Sequence, residues 1–204
     1  MNRAIFLDRD GVINELVYHQ EQEVIDSPFT PHQFNLIRGV GEALKKLHQA
    51  GYLNIIISNQ PGIAKGHMTV KNFELIRQKM NLELLASGAV LNGEYYCLHH
   101  PEAIKKRYRV VCNCRKPLPG LFLKAAVDKN INLSQSWLIG DNLSDIEAGK
   151  AAGCRTVLIG SMKCELCRLI SEKNVKPDVI SGSLAQSIDN YILSEGNELG
   201  KMKN

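Results

Sequence analysis

Apolar residues along this chain come in two rhythms that alternate from the N-terminus to about residue 159: short unbroken runs, and longer stretches repeating every three or four positions. Ala4 to Leu7 is the first unbroken run, and it ends abruptly in Asp8-Arg9-Asp10-Gly11. Such a run fits a strand buried on both faces that delivers polar residues at its C-terminal end. Val40, Ala43, Leu44 and Leu47 then recur at helical spacing, Gly51 supplies a stop, and Leu53 to Ile57 forms a second buried run ending in Ser58-Asn59-Gln60. Thr69 can cap a helix carrying Phe73, Ile76, Met80 and Leu84, Gly88 breaks it, and Glu94 to Cys97 reads as the next strand. Pro119 suits the first turn of a helix reaching about Asp128. Trp137 to Ile139 is a strand ending in Gly140-Asp141, Asp145 to Ala152 a helix stopped by Gly153, and Arg155 to Ile159 another strand.

Strands that alternate with helices predict an α/β, Rossmann-like, doubly wound and mostly parallel sheet covered on both faces, with right-handed crossovers. No internal repeat interrupts this order. The expected organisation is a single domain over 1–193, followed by a loose tail over 194–204 where Glu195, Gly196, Lys201 and Lys203 show no apolar period.

Composition narrows the class. With 204 residues and 44% hydrophobic content the chain can bury one sizeable core, and a second domain would be cramped. A net charge of +4 is too mild to imply nucleic-acid binding unless it is concentrated, and it is ample for a small anionic substrate. No apolar run approaches the roughly 20 residues that cross a bilayer, and no signal-peptide pattern precedes the first strand. The expectation is a cytoplasmic monomer with no membrane or nucleic-acid partner.

Four segments carry candidate chemistry. Asp8 and Asp10 lie two apart, so both can reach one centre, although Gly11 marks a turning chain. One carboxylate can attack phosphorus while a second acid protonates the leaving oxygen and later activates water. Alone, the pair also reads as two solvated loop acids, or as a metal-binding DxD that holds a nucleotide-sugar diphosphate. Ser58 and Asn59 offer a hydroxyl and an amide to a phosphoryl oxygen, Lys116 a compact cation, and Asp141 a hard oxygen ligand for Mg2+. Singly, Ser58 could cap a turn, Lys116 be a solvated charge, and Asp141 cap the following helix. Together, at strand ends on one side of a sheet, they make a phosphoryl-transfer site.

Between these segments lies Cys97-Leu98-His99-His100-Pro101, then ten residues, then Cys112-Asn113-Cys114. Three thiolates and one imidazole, Cys97, His99, Cys112 and Cys114, can close a tetrahedral Zn2+ shell with no open position, which describes a structural site. His100 is the less suitable alternative to His99, and buried thiols with a core histidine are the bland one. The zinc loop would hold Arg115 and Lys116 against a substrate. Lys105, Lys106, Arg107 and Arg109 add charge that fits a solvated loop face. Cys164 and Cys167 form a lone CxxC near Cys154, without a second pair, and read as ordinary thiols.

In order and spacing, Asp8-Arg9-Asp10-Gly11-Val12-Ile13-Asn14, Ser58-Asn59-Gln60, Arg115-Lys116-Pro117 and Gly140-Asp141 resemble the four motifs of haloacid dehalogenase superfamily phosphatases. The resemblance, spanning about Ile5 to Ile159, implies Asp8 as nucleophile, Asp10 as general acid and base, and Ser58 and Lys116 holding the phosphoryl group. It also implies Mg2+ on Asp8, Asp141 and the Asp10 backbone carbonyl, with Asp145 as a supporting acid. No insertion of cap-domain size separates the motifs, so a site roofed by loops is expected. The zinc loop and Gln60-Pro61-Gly62-Ile63-Ala64-Lys65-Gly66 look like the branch that contains heptose bisphosphate phosphatases and histidinol-phosphate phosphatases, more like the former. By that analogy Asn14, Asn59, Gln60, Pro61 and Arg115 line the substrate pocket. Asn142 stands where the heptose enzymes typically present lysine, and the segment from Leu16 to Phe34 is longer than their usual substrate loop. The resemblance implies Mg-dependent hydrolysis of a small phosphorylated sugar, most like the 7-phosphate of a heptose 1,7-bisphosphate. Histidinol-phosphate hydrolysis is the alternative, and a zinc-ribbon nucleic-acid module is the reading outside that class.

Overall fold

The computed structural model describes residues 1–160 and 164–194, and within 164–168 the backbone alone. The chain opens with β1 (Arg3–Leu7) and a ribbon of β2 (Val17–His19) and β3 (Val24–Asp26), followed by α1 (Val40–Gln49), β4 (Tyr52–Asn59), α2 (Val70–Ala86) and β5 (Gly93–Cys97). It continues through α3 (Gly120–Lys129), β6 (Trp137–Gly140), α4 (Leu143–Ala152), β7 (Arg155–Ile159), α5 (Cys164–Lys173), β8 (Val179–Ser181) and α6 (Leu184–Ser187). Six strands form one sheet in the order β5-β4-β1-β6-β7-β8, every neighbouring pair parallel. This is the doubly wound arrangement: connections run outward from β1 to one edge, then return to β6 on its other side. The reversal opens a crevice at the C-terminal ends of β1, β4 and β6.

β1 takes the centre because both its faces are apolar. Ile5 and Leu7 pack with Leu44 and Leu47 of α1, Ile76 and Met80 of α2 and Leu184 of α6. Ala4 and Phe6 face the other way, onto Leu121, Phe122 and Ala125 of α3 and Ala148 and Ala152 of α4. Phe6 and Phe122 meet edge to face with centroids 5.1 Å apart, so truncating Phe122, which is fully buried, to Ala costs about 3–5 kcal/mol.

Beyond Ile159, where the sequence reading assigns no element, the chain adds α5, the edge strand β8 and α6, and three further features differ from that reading. α4 begins at Leu143 rather than Asp145, because the Asp145 carboxylate reaches back to accept from Asn142 N at 3.1 Å and caps an earlier turn. β4 extends through Ser58 and Asn59, since its pairing with β5 continues to Ser58↔Tyr96 and Asn59↔Cys97. The long segment from Leu16 to Phe34 is not all loop: it holds the antiparallel β2–β3 ribbon, in register Val17↔Asp26 and His19↔Val24, and a 3-10 turn over Pro31–Gln33. The residues 195–204 of the expected tail, and the side chains of Cys164 and Cys167, lie outside the described residues. Among the described residues no helix is long and apolar enough to cross a membrane.

Candidate active site and metal centres

Where β1 ends, its backbone is still tied to β6: Asp8 N donates to Ile139 O at 3.0 Å. The chain then turns at Gly11, whose φ of +79° suits glycine, and a Cβ there would collide with the Asp141 carboxylate. Asp8 and Asp141 are thereby brought together at the ends of adjacent strands. Carboxylate oxygens of Asp8, Asp141 and Asp145 all lie within 4.8 Å of one another.

Lys116 is the cation of this cluster. Its Nζ is 3.0 Å from Asp8 Oδ1 and 2.5 Å from Asp145 Oδ1, and donates to Ile57 O of β4 at 3.0 Å. The lysine is thus ion-paired with two acids and hydrogen-bonded to one backbone carbonyl. The backbone of Lys116 is clamped as well: Asn59 Nδ2 donates to Lys116 O at 3.1 Å, and Lys116 N donates to Asn59 Oδ1 at 3.0 Å. Asn59 therefore positions the lysine as well as lining the cavity. Ser58 is buried beside Asp8, where its hydroxyl favours the ionised carboxylate, and its Oγ accepts from Gln60 Nε2 at 3.1 Å.

Charge in this crevice is unbalanced. Burial raises Asp8 to about 6, with Asp145 and Asp10 adding to the effect and Lys116 and Ser58 opposing it. Burial, then the carboxylates of Asp8 and Asp145, raises Asp141 to about 7. Against burial, which would lower it, Asp145 and Asp8 hold Lys116 above the ordinary lysine value. Three crowded carboxylates with one lysine make a donor set suited to a hard divalent cation with oxygen ligands.

Asp10 is arranged differently. Its carboxylate accepts from Arg9 Nε and Nη2, from Asn14 Nδ2 at 3.0 Å and from Gln60 Nε2 at 2.5 Å. Asn14 and Gln60 are fully buried and do not line the cavity, whereas Asp10, Pro61, Arg115 and Asn142 do. Asn142 Nδ2 donates to Asp141 Oδ1 at 3.1 Å.

The cavity holds about 360 Å3. One wall is the ribbon, through Leu16, Ile25, Asp26 and Ser27, so a strand pair contributes to a wall that the sequence assigned to loops. Another is the Gly62–Gly66 turn, which contributes Lys65. The sequence pattern does not single out Lys65, because a lone lysine in a glycine-flanked turn has no distinguishing neighbour. Of the basic residues between the cysteine pairs, none lines the cavity. Arg109 Nε instead donates to Ala103 O at 2.8 Å, and Arg107 bonds Tyr108.

Cys97, His99, Cys112 and Cys114 converge beside this wall, with ligand atoms within 4.8 Å of each other. Cys97 Sγ lies 3.7 Å from Cys112 Sγ and 3.3 Å from Cys114 Sγ, and His99 Nδ1 lies 3.4 Å from Cys114 Sγ. Those separations are far longer than a disulfide. With Cys97 Sγ 3.9 Å from His99 Nδ1, they fall within about 0.5 Å of the separations in a tetrahedral zinc site, about 3.8 Å between sulfurs and about 3.5 Å between sulfur and ring nitrogen, so the four side chains fit one such ion. His100 turns away, its Nδ1 accepting from Glu102 N at 3.2 Å. The loop braces the cavity through Ile104 N and Lys105 N, which donate to Ala64 O, and through Arg115 Nη1, which donates to His99 O at 3.3 Å.

Comparison with known proteins extends this picture. Residues 113–187 match the HAD-hydrolase-like family. The chain is 38% identical over 188 residues, 91% of its length and 96% of the relative's, to the D-glycero-beta-D-manno-heptose-1,7-bisphosphate 7-phosphatase of Haemophilus ducreyi. It is 41% identical over 164 residues, 80% of its length and 84% of the relative's, to the enzyme of the same name from Pasteurella multocida. Its fold superimposes with a TM-score of 0.76, at 26% identity over 94% of this chain and 99% of the other, on a D,D-heptose 1,7-bisphosphate phosphatase from B. bronchiseptica crystallised with magnesium and phosphate.

Proposed function

Since the chain belongs to the haloacid dehalogenase-like phosphatases, among the relatives of the heptose bisphosphate 7-phosphatases, we propose that it removes the 7-phosphate from D-glycero-D-manno-heptose 1,7-bisphosphate through a covalent intermediate on Asp8. Asp8 attacks phosphorus, and the bond from phosphorus to the sugar oxygen breaks. Asp10 gives that oxygen a proton, and the sugar leaves as an alcohol. Asp10 then takes a proton from water, whose oxygen attacks phosphorus and breaks the bond to Asp8, releasing inorganic phosphate. Lys116, 3.0 Å from Asp8 Oδ1, and the Ser58 hydroxyl stabilise charge on the transferring group. Magnesium would be held by Asp8, Asp141 and the Asp10 backbone carbonyl, where it supplies neutralisation of the phosphoryl charge. Zinc on Cys97, His99, Cys112 and Cys114 would have a structural role.

The observation that carries the bisphosphate reading is a pair of half-buried cations. Lys65 and Arg115 line the same cavity as Asp8, and neither has a carboxylate partner among the described residues. A second phosphate on the substrate is the anion that would match them.

A phosphate-release assay tests the proposal, comparing the heptose bisphosphate with histidinol phosphate, each with and without Mg2+. The expected result is Mg-dependent release with preference for the bisphosphate. The opposite preference would transfer the assignment to a histidinol phosphatase, and salt-sensitive oligonucleotide binding without hydrolysis would remove the enzyme reading altogether. Asp8→Asn should lower turnover by a factor on the order of 10^4 or more, since a nucleophile has no substitute.

A further inference from the structure

Arg9 is the largest fully buried side chain among the described residues, and it sits between the two aspartates assigned to chemistry. Burying a guanidinium is costly unless its donors are satisfied, and Arg9 Nη1 has no hydrogen-bond partner. A well-packed apolar side chain would fill that volume at lower cost. What the Arg9 side chain adds is a hold on the Asp10 carboxylate, next to a backbone N–H that already fixes Asp8. Its backbone N donates to Asp8 Oδ1 at 2.7 Å, while Nη2 donates to Asp10 Oδ1 at 3.0 Å and to Asp10 Oδ2 at 3.2 Å.

Gln60, the residue after β4, completes the arrangement. Its Oε1 accepts from Arg9 Nη2 at 2.8 Å, and its Nε2 donates to Asp10 Oδ2 at 2.5 Å and to Ser58 Oγ at 3.1 Å. Both ends of the amide are engaged, and the residue has no exposed surface with which to meet a substrate. Its backbone N donates to Cys97 O at 2.7 Å, which anchors it to the end of β5.

We propose that Arg9 and Gln60 are positioning residues that fix the Asp10 carboxylate relative to Asp8 and Ser58, so that Asp10 meets the leaving oxygen without touching substrate through either of them. The inference rests on the assignment of Asp10 as the acid, and not on which sugar is the substrate. It has a specific kinetic signature. Up to phosphoenzyme formation, a sugar alkoxide needs a proton to depart and a nitrophenolate does not. Misplacing Asp10 therefore lowers kcat/KM for a sugar phosphate more than for p-nitrophenyl phosphate.

The test uses Arg9→Lys, which keeps the charge but loses the fork, and Gln60→Leu, which keeps the volume but loses the amide. For each variant kcat/KM is measured on the sugar phosphate that the unmodified chain cleaves best and on p-nitrophenyl phosphate. The ratio of the two should fall about tenfold or more, within the range that positioned acid catalysis supplies. Adding Arg9→Lys to Asp10→Asn should leave the ratio of the single Asp10→Asn variant unchanged, because the two act through one group. Parallel losses on both substrates, additive effects in the double variant, or failure of both single variants to fold would each assign Arg9 and Gln60 a structural role and overturn the proposal. An unmodified chain that cleaves other sugar phosphates but not the heptose bisphosphate would remove the substrate assignment and leave this inference standing.

Discussion

Lys116 Nζ stands 3.0 Å from Asp8 Oδ1, with only 2% of the lysine side chain and 12% of the aspartate side chain accessible. The pair is joined by Asp145, whose Oδ1 also meets the ammonium, so one cation faces two acids while Asp141 adds a third to the cluster. The lysine thus acts as the internal counter-ion of a site that also needs an external one, and most of the expected behaviour follows from that shortage.

Replacing the lysine exposes it. Lys116→Met should destabilise the chain at neutral pH by about 3–5 kcal/mol, the usual cost of leaving buried charge without its partner. The deficit should narrow between pH 8 and pH 5 as the carboxylates protonate. Urea unfolding at several pH values measures both effects. A deficit that is flat with pH would mean the lost packing, and not the lost charge, is responsible.

Metal-free protein should lose stability as pH rises. Asp8 and Asp141 are raised from an ordinary 3.8 to about 6 and about 7, so between those limits the folded chain holds more protons than the unfolded one. That stabilising contribution is complete below pH 4 and gone above pH 7. Added Mg2+ competes with the same protons, so its stabilising effect should be largest above pH 7 and fade toward pH 5. Thermal melts with Mg2+ or a chelator across this range read the two slopes directly.

Zinc removal should act through the loop. Cys112→Ser should abolish stoichiometric zinc and lower the melting temperature. Arg115 is bonded to His99 O, and the turn bearing Lys65 to the backbone of Ile104 and Lys105. The variant should therefore raise KM for a bisphosphate more than it lowers kcat. Metal analysis and steady-state kinetics on the same preparation separate the effects, and full zinc occupancy in the variant would remove Cys112 from the ligand set.

Lys65 should decide selectivity rather than turnover. Lys65→Met should lower kcat/KM for the heptose 1,7-bisphosphate roughly ten- to hundredfold, the range for losing one charge-assisted hydrogen bond. It should affect the 7-monophosphate much less. Equal losses on both substrates would place Lys65 against the reacting phosphate instead of the second one.

The sequence by itself determined five of the six strands of the main sheet, because runs such as Ala4–Leu7 and Leu53–Ile57 are apolar on both faces and suit burial in the middle of a sheet. It also determined which segments carry polar chemistry, since Asp8, Ser58 and Asp141 stand where such runs stop. The ribbon was not legible: its strands are three residues each, largely exposed, and lack an apolar alternation. Only the tertiary structure decided which of those strand ends become neighbours, and so which acid Lys116 meets, which side of the cavity Lys65 occupies, and that Gln60 faces inward to Asp10. The physical reason is range. A strand's burial follows from its own residues, whereas a side chain's partner depends on how loops separated by 50 or more positions, such as those of Asp10 and Gln60, are brought side by side by the order of the sheet.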